Sequence, residues 1–136
     1  MGPLILDASV LIGLLDTADA HHARALEDVE TADRARRQLL VPASAYSEAL
    51  VAFAREGRVG DAREAVAAMG TTIAPLTATI AEQAAELRAR HERLRLPDAI
   101  VLASAREFDG ELLSYDQRLA GLARRPTSRD EADRLT

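Results

Sequence analysis

A chain of 136 residues, 48% hydrophobic and 29% charged, has the length of a single folding unit spanning 1–136 and enough apolar content to bury a core, which excludes a disordered scaffold. No apolar run approaches the roughly 20 residues that span a bilayer, and Asp7 interrupts the first apolar stretch too early for a secretory signal, so no membrane association and a cytoplasmic location are expected. The net charge of −5 excludes nucleic-acid binding by bulk attraction, the lack of cysteine excludes disulfides and thiolate zinc sites, the lack of lysine excludes Schiff bases and Walker-type phosphate loops, and 3% aromatic content leaves little for base-stacking platforms.

Leu4-Ile5-Leu6 is a short apolar run ending at Asp7, and Ser9 precedes Val10, Leu11, Leu14 and Leu15 at helical spacing, which predicts strand, turn and helix with Ser9 as a candidate cap. Ala23, Leu26 and Val29 continue as a second helix. Leu39-Leu40-Val41 before Pro42 predicts a second buried strand. Ser44 is placed to cap a third helix whose apolar face is Tyr46, Leu50 and Phe53 and which Gly57 stops, with Glu48 near its first turn.

Asp61 to Met69 predicts a further helix ended by Gly70, and Thr72-Ile73-Ala74 a third strand. Thr79-x-x-Glu82 has capping-box spacing, and Ile80, Ala84, Leu87 and Leu94 then predict one helix through Leu94. Pro97 suits a helix start, which puts Asp98 in the opening turn of a buried helix carrying Ile100, Val101, Leu102 and Ala105. Leu112-Leu113-Ser114 predicts the last strand, with Asp116 directly after it, and the polar stretch 124–136 is expected to be loosely ordered. Short apolar strands alternating with longer helices predict an α/β fold, a parallel sheet covered by helices on both faces.

In such a sheet the strand-to-helix junctions share one edge, at the carboxyl ends of the strands. Asp7, Glu48, Asp98 and Asp116 all fall at such junctions. Four carboxylates in one place are electrostatically costly unless a cation neutralises them, and all-oxygen ligation favours Mg2+ or Mn2+ over zinc. Taken singly, each acid is an ordinary helix-capping or turn residue; the set is what points to a site. Asp16, Asp19, Asp28 and Asp61 are read as solvated charges, and His21, His22 and His91 show no zinc-site spacing.

Leu6-Asp7-Ala8-Ser9, Glu48 within Ala45-Tyr46-Ser47-Glu48-Ala49-Leu50, Leu96-Pro97-Asp98-Ala99 and Leu113-Ser114-Tyr115-Asp116 together resemble the PIN-domain ribonucleases, in particular the VapC-like toxins of toxin-antitoxin pairs. The resemblance spans nearly the whole chain. It implies a PIN-like three-layer α/β/α fold, an endoribonuclease that uses one or two Mg2+ or Mn2+ ions, a homodimer, and a cognate VapB-like antitoxin. It also implies Asp7, Glu48, Asp98 and Asp116 as the catalytic and metal-binding acids, with Ser9 and Ser114 in support.

Arg88, Arg90, Arg93 and Arg95 precede Asp98 and are candidates for contacts to the RNA backbone; on one helix, Arg88 and Arg95 would align and the other two would lie elsewhere. Leu11, Leu14, Leu15 and Leu26 offer apolar surface either to the core or to an antitoxin groove. Two other classes fit parts of the pattern: a phosphoacceptor domain of receiver or phosphatase type using Asp7, and a non-catalytic dimerising module in which the acids only cap helices.

Overall fold

Apolar runs of three or four residues cannot hold an extended conformation alone, so they must find partners along their edges. In the computed structural model they do so as β1 (Leu4–Leu6), β2 (Leu39–Pro42), β3 (Thr72–Ala74) and β4 (Glu111–Leu113). Between and after them run α1 (Ala8–Leu15), α2 (His22–Arg34), α3 (Ala43–Arg55), α4 (Val59–Ala68), α5 (Ala78–Arg90), α6 (Leu96–Glu107) and α7 (Gln117–Ala123). The structure describes residues 2–124; the polar stretch 125–136 lies outside the described residues.

The four strands form one parallel sheet in the order β3-β2-β1-β4. Its register pairs Leu4 with Leu39 on one side and Leu6 with Leu113 on the other. The chain builds outward from β1 through β2 to β3, then returns across the sheet to add β4 on the far side of β1. Strand order therefore reverses between β1 and β4, and the crevice at the carboxyl ends of strands flanking such a reversal is where ligands bind in open α/β sheets.

Alternation along the strands fixes two faces. Leu4, Leu6, Leu39 and Val41 pack with Val10, Leu11, Leu14, Ala25 and Ala45 from α1, α2 and α3. Ile5 and Leu40 point the other way, onto Ala105 of α6. On that second side Ile80, Ala84 and Leu87 of α5 meet Ala99, Leu102 and Ala103 of α6 and Leu119 of α7. Both faces of the sheet are covered, as the sequence predicts for the three-layer arrangement.

Several helix starts differ from the sequence reading. Asp7, not Ser9, caps α1, accepting from the Val10 amide, because Ser9 already lies inside the first turn. Pro42 occupies the cap position of α3, and Ser44 lies two residues past it, inside the first turn, where it cannot cap the helix. Thr77 rather than Thr79 caps α5, accepting from the Ile80 amide. The expected helix through Leu94 ends at Arg90; Leu94 is buried from the following turn, where its amide donates to His91 O. Arg93 and Arg95 are thus on a connector, and the expected alignment of Arg88 with Arg95 on one helix does not occur.

Candidate active site

Asp7 terminates β1 at the carboxyl edge of the sheet, where the strand hands over directly to α1. Its side chain is 5% exposed, so the carboxylate must be satisfied from within the protein. Oδ1 accepts from Ser9 Oγ at 2.6 Å and from the Val10 amide at 3.1 Å. Oδ2 accepts from Ser114 Oγ, at the end of β4. The two hydroxyls in turn accept backbone amides: Ser9 Oγ takes Tyr115 N at 3.1 Å and Ser114 Oγ takes Asp116 N at 3.1 Å. The ends of β1 and β4 are therefore laced together by two serines, and the Ser9 and Ser114 singled out in the sequence are both partners of Asp7.

Asp116 lies two residues beyond Ser114 and is exposed. Its Oδ1 accepts from the amides of Arg118 and Leu119 at 3.0 and 3.2 Å, which makes it the cap of α7, a helix absent from the sequence reading. Asp98 lies in the first turn of α6. That helix runs straight into β4 through the turn at Asp109-Gly110, so its other end, with Asp98, returns to the carboxyl edge. Gly110 allows this turn to press on the sheet, since a Cβ there would meet Ile5 Cγ1 at 2.8 Å and Pro3 O at 2.9 Å. Glu48 reaches the same edge from the second turn of α3, not its opening turn.

Electrostatics ties the four acids together. Burial is the main influence pushing the Asp98 carboxyl above its ordinary value; Arg95 opposes it by charge and by hydrogen bond, and the charges of Asp116 and Asp7 add to the rise. The Arg95 guanidinium stands 3.5 Å from Asp98. Glu48 is also raised, chiefly by partial desolvation; Arg95 again opposes, and Asp98 and Asp7 add to the rise. The acids feel one another, but they do not form a closed cage. Among the described residues, no three acidic or histidine side chains are drawn together closely enough to hold a metal ion by themselves.

The donor chemistry nonetheless fits a hard divalent cation. Every candidate ligand is a carboxylate oxygen, and two of the carboxylates carry a charge penalty that a cation would relieve. One turn before Glu48 on α3, the buried Ser44 Oγ has no hydrogen-bond partner, an unsatisfied polar atom on the helix that carries Glu48. A phosphoacceptor site of receiver or phosphatase type usually recruits a lysine, and this chain has none.

The arginines separate by location. Arg93, Arg95 and Arg118 line a cleft of 120 Å³ together with Asp98 and Asp116. It shares Arg93, Leu94, Arg118 and Leu122 with a larger one of 720 Å³ that Arg90 and His91 also line. Arg88 lines neither. Arg90 and Arg95 are engaged by carboxylates, Glu86 at 3.7 Å and Asp98 at 3.5 Å, whereas the side chains of Arg93 and Arg118 have no carboxylate partner among the described residues. Sequence reading missed Arg118, because only the cap at Asp116 turns the chain back toward the α5–α6 connector. Of the apolar residues considered for a groove, Leu11 and Leu14 are in the core, Leu26 is exposed on α2, and Leu15 lines a 430 Å³ cleft with Ile12, Phe53 and Glu48.

A family model for the PIN domain matches residues 4–125. Among solved structures, VapC20 of Mycobacterium tuberculosis, described as a toxin that cleaves the sarcin-ricin loop, superposes with a TM-score of 0.69 at 21% identity, covering 88% of this chain and 94% of that one. A toxin-antitoxin complex from Klebsiella pneumoniae gives a TM-score of 0.67 at 26% identity over 85% of this chain and 88% of the other. VapBC2 of Rickettsia felis, bound to a DNA fragment from its promoter, gives 0.67 at 10% identity over 85% and 89%. No curated protein sequence matches.

Proposed function

Because the chain belongs to the PIN domain family, we propose that it is an endoribonuclease that hydrolyses RNA phosphodiester bonds with the help of one or two Mg2+ or Mn2+ ions, and that it is the VapC-like toxin of a toxin-antitoxin pair. The single observation that carries this reading is the hydrogen-bonded lattice of Asp7, Ser9, Ser114 and Asp116 at the crevice between β1 and β4, with Asp98 near enough to feel the charges of Asp7 and Asp116, and Glu48 those of Asp7 and Asp98. The solved toxin structures that share the fold support it.

In this reading Asp7, Asp98 and Asp116 hold the cation, and Glu48 holds a second one or orients the attacking water. When bound, the ion supplies a water of lowered pKa and neutralises charge on the phosphate during in-line displacement. Ser9 and Ser114 keep the Asp7 carboxylate oriented by donating to both its oxygens. Arg93, Arg95 and Arg118 provide local positive charge for the RNA backbone in a chain that is acidic as a whole, and Arg90 extends that track away from the acids. A VapB-like antitoxin is the proposed partner, with the cleft beside Glu48, where Ile12, Leu15 and Phe53 alternate with Asp16, Glu56 and Arg58, as surface for it, and the toxin is proposed to act as a homodimer.

The test is cleavage of total RNA with Mg2+ present, chelated and restored, followed by mapping of the cut ends. Cutting that stops with chelation and returns with metal is expected. Metal-independent cutting, or none, would defeat the proposal.

A further inference from the structure

Between Ser114 and Asp116, the ring of Tyr115 is held by three side chains. His21 stacks on it with centroids 4.8 Å apart, the Arg24 guanidinium lies 4.5 Å from its centroid, and its hydroxyl donates to Asp28 Oδ2 at 2.7 Å. All three partners belong to α2 or its cap. Burial, followed by the bond to Asp28, raises the phenol well above its ordinary range, so the hydroxyl remains a donor. Asp28 is therefore not the solvated charge its sequence position predicts.

The clamp rests on a braced element. His22 Nδ1 lies 2.7 Å from Gly13 O, and a Cβ added at Gly13 would come within 3.2 Å of Ala25 Cβ, so α1 and α2 approach closely. Tyr115 itself sits between Ser114 and Asp116, and its own amide donates to Ser9 Oγ at 3.1 Å. A ring fixed on α2 thus sets the backbone of three consecutive residues, two of which reach the acidic edge.

We propose that Tyr115 is a positioning residue: its clamped ring fixes the Ser114–Asp116 segment and so keeps Asp7, Ser114 and Asp116 arranged to bind a divalent cation, an inference that rests on the nuclease reading of that edge. The clamp acts through backbone placement and touches neither substrate nor ion.

The full chain carrying Tyr115→Ala or Tyr115→Phe tests this by two readouts, amide hydrogen exchange over residues 114–116 without metal and direct titration with Mn2+ by calorimetry. For Tyr115→Ala, exchange at 114–116 is expected to speed up about tenfold or more relative to the rest of the sheet, and Mn2+ binding to weaken about tenfold. Tyr115→Phe keeps the ring contacts and loses only the bond to Asp28, so it should fall between wild type and Tyr115→Ala on both readouts. Unchanged exchange at 114–116 in Tyr115→Ala overturns the proposal, as does faster exchange with Mn2+ binding equal to wild type. If Tyr115→Ala fails to fold, the paired change Arg24→Ala and Asp28→Ala removes two of the three holds from α2 and is read by the same criteria. A wild-type chain that binds no Mn2+ defeats the nuclease reading itself, and exchange alone then decides whether the ring sets the segment.

Discussion

Ser114 Oγ donates to Asp7 Oδ2, joining two residues 107 positions apart and closing the crevice between the first and last strands. Removing that donor leaves a buried carboxylate oxygen short of one partner and frees the Asp116 amide at the same time. Ser114→Ala should lower stability by about 1–3 kcal/mol in urea unfolding and weaken Mg2+-dependent cleavage about tenfold or more. Ser114→Thr, which keeps the hydroxyl, should recover part of both losses; equal losses in the two variants would show that the hydroxyl is not what matters.

Asp7→Asn keeps the volume and an acceptor for the Val10 amide but removes the charge at the centre of the set. Far-UV circular dichroism should be unchanged while RNA cleavage drops about 100-fold or more. Undiminished cutting by a folded Asp7→Asn chain would favour the view of the acids as helix caps in a binding module.

The raised carboxyls give a pH dependence with a definite sign. Glu48 and Asp98 bind protons more tightly folded than unfolded, so their contribution to stability is fully present below their ordinary values of 4.5 and 3.8 and is lost as pH rises through the raised folded-state values. In chelator, the Tm of Asp98→Asn or Glu48→Gln should therefore gain on wild type as pH increases upward from about 4. Mg2+ should return the lost stability to wild type at the upper end of the range and do less for the variants. A wild-type advantage that grows with pH in chelator would contradict the direction of both shifts.

For the arginines the discriminating measurement is salt dependence. Arg93→Ala and Arg118→Ala should each raise the KM for RNA and reduce the slope of log affinity against log salt by about 0.7, the value of one phosphate contact on a single strand. Arg88→Ala, which borders neither cleft, is the control and should leave the slope alone. Equal effects at all three positions would remove the assignment of a track.

The parts of this molecule legible in its sequence are those with local punctuation. Asp7 closing an apolar triplet, Pro97 opening α6 and Gly57 with φ of 70° after α3 each mark a boundary by their own chemistry. The misread boundaries lie where two residues offer the same signal. Thr77 and Thr79 both suit a cap, and Leu87 and Leu94 sit seven apart as on a helix, yet Leu94 is buried from a turn. Periodicity reports which residues face inward and not the path by which they arrive there. The Tyr115–Asp28 contact had no signal at all, since its members lie 87 residues apart and neither belongs to a recognisable spacing.

Since β4 pairs with β1, the crevice draws one wall from each extremity of the described chain. A polypeptide still leaving the ribosome would carry Asp7 early, but it would lack Ser114 and Asp116 until nearly all of the fold had been made. Completion of this edge therefore waits on the last strand, and an acidic set spread over the whole length of the fold is tied to the folding of all of it.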